Sequence, residues 1–471
     1  MKLKPRYQLL EQNDMEKIHE TSLRILEEVG IFIAYEPARE ILKKHGAKEE
    51  GKTIYFPRTL VEERLKTVPS EFTVYSRDPK KSIHMNTEDT FYSGPGCSAY
   101  VSDLDLGRRY SKLDDFINIV KIVHSLPNID IHHEIACEPN DVDVELRPAV
   151  MTYNNLKYSD KPFLGSSLGY ENAKRSIEMT AIAHGGLDVL KEKTVLFSIP
   201  CSLTPLGYDE KMAGAIVAYA ETNQAQIINS LPIAGATGPA TYAGSMALQN
   251  AEILAGIVLA QCVNPGCPVV YSPNGASADM ATGSMVAGGP EYAVFALANG
   301  QMAKFYNIPC RVAGSLTDSK MMDSQAAFES AIGCIMGQLA GGNFVLGGAG
   351  FLETYNCTSY EKLVIDNEII GYIKHIAKGL EVNDDTLAFD VIKSVGQQGE
   401  FLSTDHTFAH FRNTFYRPSI SNRQNAAQWE LSGSPSLEQA ANARWKQILE
   451  EYVAPDFPND IDRDLQKYIS K

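Results

Sequence analysis

Between residues 226 and 271 the chain reads Gln226-Ile-Ile-Asn229, then an apolar run from Met246 to Cys262, then Val269-Val-Tyr271. The two short runs have the length of buried strands, and the long run has the length of a helix. Parallel strands need a crossover of a dozen or more residues, which is usually helical. This order therefore predicts a strand, helix, strand unit of a parallel α/β sheet.

The same alternation continues on both sides of this unit. Strands are predicted at residues 90–93, 129–135, 162–164, 195–199, 226–229, 269–271, 310–313 and 344–346. Helices are predicted at residues 112–123, 173–183, 212–222, 246–262, 292–306, 325–339 and 361–377. Eight strands favour a closed TIM (β/α)8 barrel over an open sheet, because an open sheet needs a reversal of strand order that we do not see in the sequence.

The flanking regions follow other patterns. Residues 1–85 predict an N-terminal α+β cap region, residues 86–380 the barrel, and residues 381–471 a C-terminal helical addition. We expect the helices of this addition to cover faces of the barrel and to contribute to a homo-oligomer.

Charge and composition exclude several classes of function. The 471 residues include 43 basic and 58 acidic ones, a net charge of −15, which argues against binding nucleic acid or an anionic membrane through bulk charge. The longest apolar run, from Ala251 to Val263, is shorter than the roughly 18 residues of a membrane span. The N-terminus, Met1-Lys2-Leu3-Lys4-Pro5, is not followed by the apolar region of a secretory signal. We therefore expect a cytoplasmic protein.

The cysteine spacing and the glycine-rich motifs match no common metal or nucleotide site. The eight cysteines match neither a metal-binding spacing nor the pattern of a small disulfide scaffold, so we expect buried thiols. The chain has no GxxxxGK[ST] motif, and the third glycine of a dinucleotide fingerprint is missing after Gly350. We predict neither a metal nor a nucleotide bound by this chain.

In a TIM barrel the active site lies at the carboxyl ends of the strands. The residues at those ends are rich in glycine and poor in paired carboxylates, and glycine there is explained by turns alone. His132 and His133 alternate in direction, so at most one of them faces a site. Cys201 follows a strand, and we interpret it as an inert buried thiol.

Three longer motifs carry a resemblance to a known family. They are Gly235 to Gly244 continuing through Asn250 to Gly266, Thr317-Asp318-Ser-Lys320 followed by Asp323 to Glu329, and Gly348-Ala-Gly350-Phe-Leu-Glu353 leading to Leu363-Val-Ile-Asp366-Asn-Glu368. Over essentially its whole length the chain resembles the trimethylamine methyltransferase family. The resemblance implies a TIM barrel that transfers a methyl group from an amine to the Co(I) corrinoid, a cobalamin, carried by a small cognate protein.

One loop departs from the family pattern. The founding members carry pyrrolysine after the seventh strand, where this chain reads Gly314-Ser315-Leu316-Thr317. A tertiary amine needs electrophilic help to release its methyl group, whereas a quaternary ammonium already carries the positive charge and leaves as a neutral amine. Methyl transfer from a quaternary ammonium therefore requires mainly that the protein positions the substrate. The chain therefore resembles the pyrrolysine-free branch, whose substrates are betaines such as glycine betaine, proline betaine, carnitine or γ-butyrobetaine.

Aromatic faces hold a quaternary ammonium, so we expect Phe351 and Tyr355 to form a cage, with Tyr92 from the neighbouring first strand. For each of the two cage rings an ordinary core position is an equally good interpretation. Arg311 lies inside an apolar strand, where it either binds the substrate carboxylate or pairs with Glu353 or Asp318.

The remaining assignments follow from the resemblance. His133 is a second candidate for the carboxylate, while Glu353 and Asp318 at the mouth are candidates to act electrostatically on the ammonium, unless Asp318 forms a structural ion pair with Lys320. The glycines of the last loop, Gly347, Gly348 and Gly350, are expected to leave room for the corrin ring. We expect His406 to cap a helix.

Two alternative functions remain open. A betaine-binding or regulatory barrel would bind the ligand without methyl transfer. A barrel lyase would use a Schiff-base lysine, for which Lys320 is the candidate, although no lysine lies within the predicted strands.

Overall fold

Eight parallel segments form a closed ring in the computed structural model, which describes residues 7–469. Six are strands and two, at residues 131–132 and 163–164, are single-bridge segments; the strands are Phe91–Tyr92, Phe197–Ser198, Ala225–Ser230, Val269–Pro273, Arg311–Ala313 and Phe344–Leu346. Each segment pairs in parallel with the next along the chain, and the eighth pairs with the first. A sheet that closes on itself in this way is a barrel. We number its strands one to eight in chain order.

One helix follows each barrel strand. The helices are Leu113–Ser125, Arg147–Tyr158, Tyr170–Ala183, Glu210–Glu221, Tyr242–Val263, Pro290–Tyr306, Ser324–Leu339 and Tyr360–Ala377. The predicted α/β class is confirmed. The sequence analysis missed Arg147–Tyr158, because Thr152, Asn154 and Asn155 interrupt its apolar periodicity although all three are buried.

A hairpin closes the amino end of the barrel. Phe72–Val74 pairs with Ile83–Met85, and the inward side chains of this hairpin pack against Phe197 and Phe344 inside the barrel. Because this end is filled, an open site lies at the carboxyl end of the strands, which we call the mouth.

The region before the barrel is α+β. Its helices are Gln12–Arg24, Glu36–Lys44 and Arg58–Leu65, with a π-helical turn at Ile25–Val29 and a short 3-10 helix at Pro79–Lys81. Its sheet has the strands Ile31–Ile33, Lys48–Glu50 and Thr53–Tyr55, and the loop after the fourth barrel strand adds Gly207–Tyr208. The cap region is therefore joined to the barrel by backbone hydrogen bonds. Residues 1–6, on which part of the signal-sequence argument depends, lie outside the described residues.

Two small sheets are built from the loops at the mouth. One contains Tyr100–Ser102, Arg109–Tyr110, Phe351–Leu352 and Cys357–Ser359. The other contains Ile233–Ala234, Ala276–Ala278 and Met285–Val286. A 3-10 helix at Leu187–Lys191 lies in the loop before the fourth barrel strand. Hydrogen-bonded loops are more rigid than free ones, so the mouth has defined walls.

The C-terminal region is helical, as predicted. Its helices are Asp384–Leu387, Phe389–Val395, Asp405–Thr414, Ala426–Leu431, Leu437–Glu450 and Asn459–Ile469. Leu437–Glu450 packs on the eighth barrel helix and Asn459–Ile469 on the third, so both cover the outside of the barrel. The first four of these helices leave Phe389, Phe408 and Leu431 exposed.

The helix Tyr242–Val263 is long and apolar enough to cross a membrane, but 94% of its most apolar window is buried inside the protein. It packs against the cap region and the fifth and sixth barrel strands, which explains its composition.

All eight cysteines carry free thiols. Six of the thiols are buried, whereas Cys97 is exposed and Cys201 is half-buried.

Candidate functional site

A cavity of about 260 Å³ lies at the mouth of the barrel. All eight strand positions contribute to its wall, through Gly96, His133, Ser167, Ile199, Asn229, Asn274, Arg311 and Leu346 in strand order. Drug-sized ligands occupy pockets of about 300–1,000 Å³, so this cavity suits a small molecule.

Arg311 supplies a buried positive charge to this cavity. It is the first residue of the seventh strand and is only 1% exposed. Its Nε and Nη1 atoms are buried and have no hydrogen-bond partner in the structure. A buried guanidinium is costly unless it is paired, so an anionic group is expected from the ligand.

From the sequence, an ion pair of Arg311 with Glu353 or Asp318 was the alternative to binding a substrate carboxylate. This alternative is wrong. Glu353 forms a two-pronged ion pair with Arg108, at 2.7 and 3.0 Å. Within residues 7–469 no carboxylate lies within ion-pair distance of Arg311. The acids that the sequence offered as structural partners are therefore occupied elsewhere.

Asp318 joins two loops. Its carboxylate accepts hydrogen bonds from the Ala287 and Gly288 amides at 3.0 and 2.9 Å, and from the Thr354 hydroxyl at 2.8 Å. Lys320 donates to the backbone carbonyl of Asp318 at 2.6 Å, so the side-chain ion pair that was the alternative to a role at the mouth is not formed. Neither Asp318 nor Glu353 lines the cavity, because these hydrogen bonds direct both carboxylates into the loops.

Phe351 and Tyr355 both line the cavity. Phe351 begins the short strand Phe351–Leu352 and is buried, while Tyr355 follows in the turn and is half-buried. Their ring centroids lie 5.3 Å apart at an angle of 75°. Two rings at this angle form a corner, so both can contact the same group of a ligand.

A network of hydroxyl groups connects the Tyr355 ring to Asn274 in the cavity wall. The Tyr292 hydroxyl bonds to the Asn274 amide oxygen and lies 3.1 Å from the Tyr355 hydroxyl. Burial raises the pKa of Tyr292 well above its ordinary value, and nearby Arg311 partly offsets that rise. The sequence analysis gave Asn274 no role and did not identify Tyr292. Their positions after the sixth strand were the available signal.

His133 lines the cavity and is neutral at physiological pH. Burial, followed by the charge of Arg311, lowers its pKa to about 4. The Nδ1 atom accepts a hydrogen bond from the Ile135 amide at 3.2 Å. Neutral His133 adds no positive charge to the site, so Arg311 is the stronger partner for a carboxylate.

Glu134 is a cavity residue to which the sequence analysis gave no role. It is 4% exposed, and burial raises its pKa from the ordinary value of 4.5 to about 7. Its position two residues beyond the last paired residue of the second strand was the available signal.

Tyr92 does not reach the cavity, contrary to its predicted role in binding substrate. Its hydroxyl donates to Gln338 at 3.1 Å, and Lys374 lies over its ring at 5.3 Å. Side chains alternate along a strand, and Tyr92 points outward to the surrounding helices.

The loop assigned by resemblance as equivalent to the pyrrolysine loop lies behind the cavity wall. Ser315 lies 3.0 Å from the Cys334 sulfur, Leu316 is buried against Phe351, and a side chain at Gly314 would meet the backbone of Gly348 at 2.8 Å. None of these residues of the pyrrolysine-equivalent loop lines the cavity.

The glycines of the last loop have local structural roles. Gly347 lines the cavity with a φ of +63°. A side chain at Gly348 would lie 2.9 Å from the Ser93 carbonyl, and the Gly350 amide donates to Asp366 at 2.7 Å. Gly348 and Gly350 are buried in the loop packing and offer no surface to a corrin ring, which contradicts their predicted role.

His406 lies far along the chain, in the C-terminal region. Thr404 caps the helix Asp405–Thr414, in whose first turn His406 lies, but the His406 Nε2 atom lies 3.3 Å from the Asp385 carbonyl of the helix Asp384–Leu387. Its ring lies 4.3 Å from the ring of His410, and both lie close to Asp385. His406 and His410 are half-buried, the His410 Nε2 atom lies 3.2 Å from the Asp385 carboxylate, and none of the three residues lines the cavity.

Comparisons with known proteins identify relatives along the full chain. The family model of trimethylamine methyltransferases matches residues 1–471. The glycine betaine methyltransferase of Desulfitobacterium hafniense (strain Y51) is 44% identical, over 100% of this chain and 98% of that protein. The trimethylamine methyltransferase MttB of D. hafniense (strain DSM 10664 / DCB-2) is 31% identical, over 96% of this chain and 92% of that protein.

The chain is also similar to a second betaine methyltransferase and to a solved structure. The proline betaine:corrinoid methyltransferase of Eubacterium limosum is 30% identical, over 97% of this chain and 96% of that protein. The crystal structure of the Methanosarcina barkeri monomethylamine methyltransferase (MtmB) superposes with a TM-score of 0.53 at 11% identity, covering 95% of this chain and 89% of that one. At this identity the match concerns the fold alone.

Proposed function

This chain belongs to the trimethylamine methyltransferase family, and we propose that it transfers a methyl group from a betaine to the Co(I) corrinoid of a partner protein. The observation that carries the proposal is Arg311, a buried guanidinium that has no carboxylate partner within residues 7–469 and has two unused donors, in a small cavity that two aromatic side chains also line. A betaine brings both groups that such a cavity would pair, a carboxylate and a quaternary ammonium.

Within the cavity, Arg311 binds the carboxylate through its free Nε and Nη1 donors. Phe351 and Tyr355 enclose the ammonium, which cannot donate hydrogen bonds and is held by ring faces. The Tyr292 hydroxyl fixes the Tyr355 ring, so that the cage is formed before the substrate binds. Neutral His133 is a further hydrogen-bonding group beside the carboxylate.

The corrinoid supplies the electron pair that forms the new bond to the methyl carbon. The pair of the broken carbon–nitrogen bond stays on nitrogen, so the ammonium leaves as a neutral tertiary amine. No proton and no side-chain nucleophile are needed, and the chain's residues orient one methyl group toward the mouth and exclude water. The absence of pyrrolysine from the loop at Gly314, Ser315 and Leu316 fits a substrate that already carries its charge.

The corrinoid belongs to a partner in this proposal. A cavity of about 260 Å³ accommodates a small amine but not a corrin macrocycle, which must therefore approach from outside the mouth. The proposal thus gives the protein two partners, a small quaternary amine and a cognate corrinoid protein.

Further assignments belong to the same proposal. The closed parallel barrel with one helix after each strand supports a TIM barrel, with boundaries at residues 1–85, 86–380 and 381–471. Eight free thiols and a Co(I) partner both suit a reducing compartment, the cytoplasm. The exposed aromatic residues of the C-terminal region support a homo-oligomer.

The test is anaerobic methyl transfer to free cob(I)alamin. The purified chain is mixed with glycine betaine, proline betaine, carnitine, γ-butyrobetaine or trimethylamine, and methylcobalamin is followed by absorbance. We expect transfer from at least one betaine and none from trimethylamine. Calorimetric binding of a betaine, with no transfer either to free cobalamin or to a corrinoid protein from a betaine-grown cell extract, would favour a binding protein instead.

A further inference from the structure

Glu134 is a buried acid with an incomplete set of partners. The Ser166 hydroxyl and the Ser167 amide donate hydrogen bonds to its carboxylate. Its Oε1 atom is buried and has no hydrogen-bond partner among residues 7–469. In the described part of the chain no basic side chain lies within ion-pair distance of it. The free oxygen belongs to a side chain that lines the cavity.

Another buried acid, Glu252, shows what a structural carboxylate looks like in this protein. Its two oxygens accept hydrogen bonds from the hydroxyls of Ser202, Thr204 and Ser230 at 2.5, 2.8 and 2.6 Å, and from the Leu206 amide at 2.7 Å. Glu252 therefore needs no ligand. An unsatisfied buried oxygen such as that of Glu134 costs free energy, so it calls for a functional explanation.

Glu134 and Arg311 lie on different sides of the cavity. They belong to the second and seventh strand positions, which are separated by two positions on one side of the barrel and by four on the other. Arg311 begins its strand, whereas Glu134 lies beyond the end of its own, so Arg311 is the deeper of the two. They form no ion pair with each other, and the cavity lies between them.

We propose that Glu134 forms a cation subsite near the mouth, where its carboxylate faces the quaternary ammonium of a zwitterion whose carboxylate is held by Arg311. This inference rests on the proposed function and adds the orientation of the substrate. The ammonium then lies on the mouth side, where a methyl group can be reached from outside. The positive charge of an alkylammonium is spread over its methyl groups, so the free Oε1 needs no hydrogen-bond donor to be stabilised.

The contact with Glu134 favours the bound substrate over the product. Nitrogen loses its positive charge when the methyl group leaves, and the attraction to Glu134 falls with it. An interaction present in the ground state and lost during the reaction contributes to binding and does not accelerate the chemical step. Glu134 is therefore expected to affect KM and Kd more than kcat.

The test uses three ligands that separate the two charges, with the purified full chain and isothermal titration calorimetry at pH 8, above the pKa of about 7 of Glu134. Glycine betaine carries both charges, choline carries only the cation, and 3,3-dimethylbutyrate is the carbon isostere that carries only the carboxylate. In Glu134→Gln we expect the Kd to rise roughly tenfold for glycine betaine and for choline, the equivalent of about 1.4 kcal/mol, with little change for 3,3-dimethylbutyrate.

A neighbouring acid serves as the matched control. Glu138 pairs with Arg147 at 3.4 Å and does not line the cavity, so Glu138→Gln removes the same charge from outside the site. We expect wild-type affinities in this variant. Thermal unfolding of each variant verifies the fold. Glu134→Asp retains the charge, so it should recover part of the affinity that Glu134→Gln loses. This second variant keeps the test valid if glutamine disturbs the loop.

The outcomes separate this inference from the proposed function. Unchanged betaine affinity in a folded Glu134→Gln variant, or an equal loss for 3,3-dimethylbutyrate, would overturn the subsite. Methyl transfer by the wild-type chain would stand independently of that result. A wild-type chain that binds betaine through Glu134 without transferring a methyl group would overturn the proposed function and leave the subsite.

Discussion

The ring of Tyr355 stands nearly perpendicular to that of Phe351, with the centroids 5.3 Å apart, and both rings face the cavity at the mouth of the barrel. Their positions are fixed from two sides. The Tyr355 hydroxyl lies 3.1 Å from that of Tyr292, and Phe351 packs against Leu316 and Ala313. A pair held in this way forms a rigid corner, which suits a bulky cation that makes no hydrogen bonds.

Replacing either ring should weaken betaine binding more than it weakens the fold. A desolvated cation–π contact contributes about 0.5–2 kcal/mol, so Phe351→Ala and Tyr355→Ala should each raise the Kd for glycine betaine roughly 2- to 30-fold. Calorimetric titration measures the effect. Phe408→Ala, at an exposed position outside the cavity, is the control and should bind like wild type. Unchanged affinity in both cavity variants would show that the rings are ordinary core.

Arg311→Lys should discriminate between ligands. Lysine keeps the charge but loses the planar pair of donors that matches a carboxylate, so binding of glycine betaine should fall by about 1.5–3 kcal/mol while choline is little affected. Arg108→Lys, which alters the ion pair with Glu353 outside the cavity, should leave both affinities unchanged. If choline and betaine lose affinity equally in Arg311→Lys, the role of Arg311 is structural.

Most of the barrel could be predicted from the sequence, because its strands are apolar on both faces and its helices are periodic. The strand predicted at 344–346 matches Phe344–Leu346 in full. The strand predicted at 129–135 is reduced to two single bridges. Residue 131 pairs only with Ser93 of the first strand, and residue 132 pairs only with Phe163 of the third. Apolar composition reports burial, whereas strand length depends on the neighbours that a single sequence does not contain.

The site was predicted less completely, for a physical reason. Position after a strand places a residue at the mouth, but whether a side chain points into the cavity depends on alternation and on competing partners. Arg311 and Tyr355 reach the cavity, whereas Glu353 is held by Arg108 and Tyr92 points outward to Gln338. Within residues 7–469 Glu134 has no basic partner and one of its oxygens accepts no hydrogen bond, and only the folded structure shows this.

A buried ion pair behind the cavity should be essential to the fold. Lys362 and Asp366 are fully buried at 2.6 Å from each other, and Lys362 also donates to the Ser315 carbonyl while Asp366 accepts from the Gly350 amide. The pair thus joins the two loops that follow the seventh and eighth strands. Removing one partner leaves an uncompensated charge, so Lys362→Met should lower the free energy of unfolding by about 3–5 kcal/mol in urea denaturation.

The double variant Lys362→Met with Asp366→Asn is the control for that prediction. It removes both charges together, so no ion is left unpaired, and it should be less destabilised than Lys362→Met alone. Equal losses in the single and double variants would mean that packing, and not charge, determines the stability of these loops.

The stability of the protein should depend on pH through Glu134. Burial raises the pKa of this carboxyl to about 7 in the folded state, above its ordinary value of 4.5. Between these values the folded protein keeps a proton that the unfolded chain has lost, so the contribution of Glu134 to stability is complete below pH 4.5 and is lost as the pH rises through 7. The total is about 3 kcal/mol. Glu134→Gln has no proton to lose, so the difference in unfolding free energy, wild type minus variant, should fall by that amount between pH 4 and 8 in urea titrations. Parallel pH profiles would show that the carboxyl is solvated in the folded protein, which would also remove the physical basis of the cation subsite.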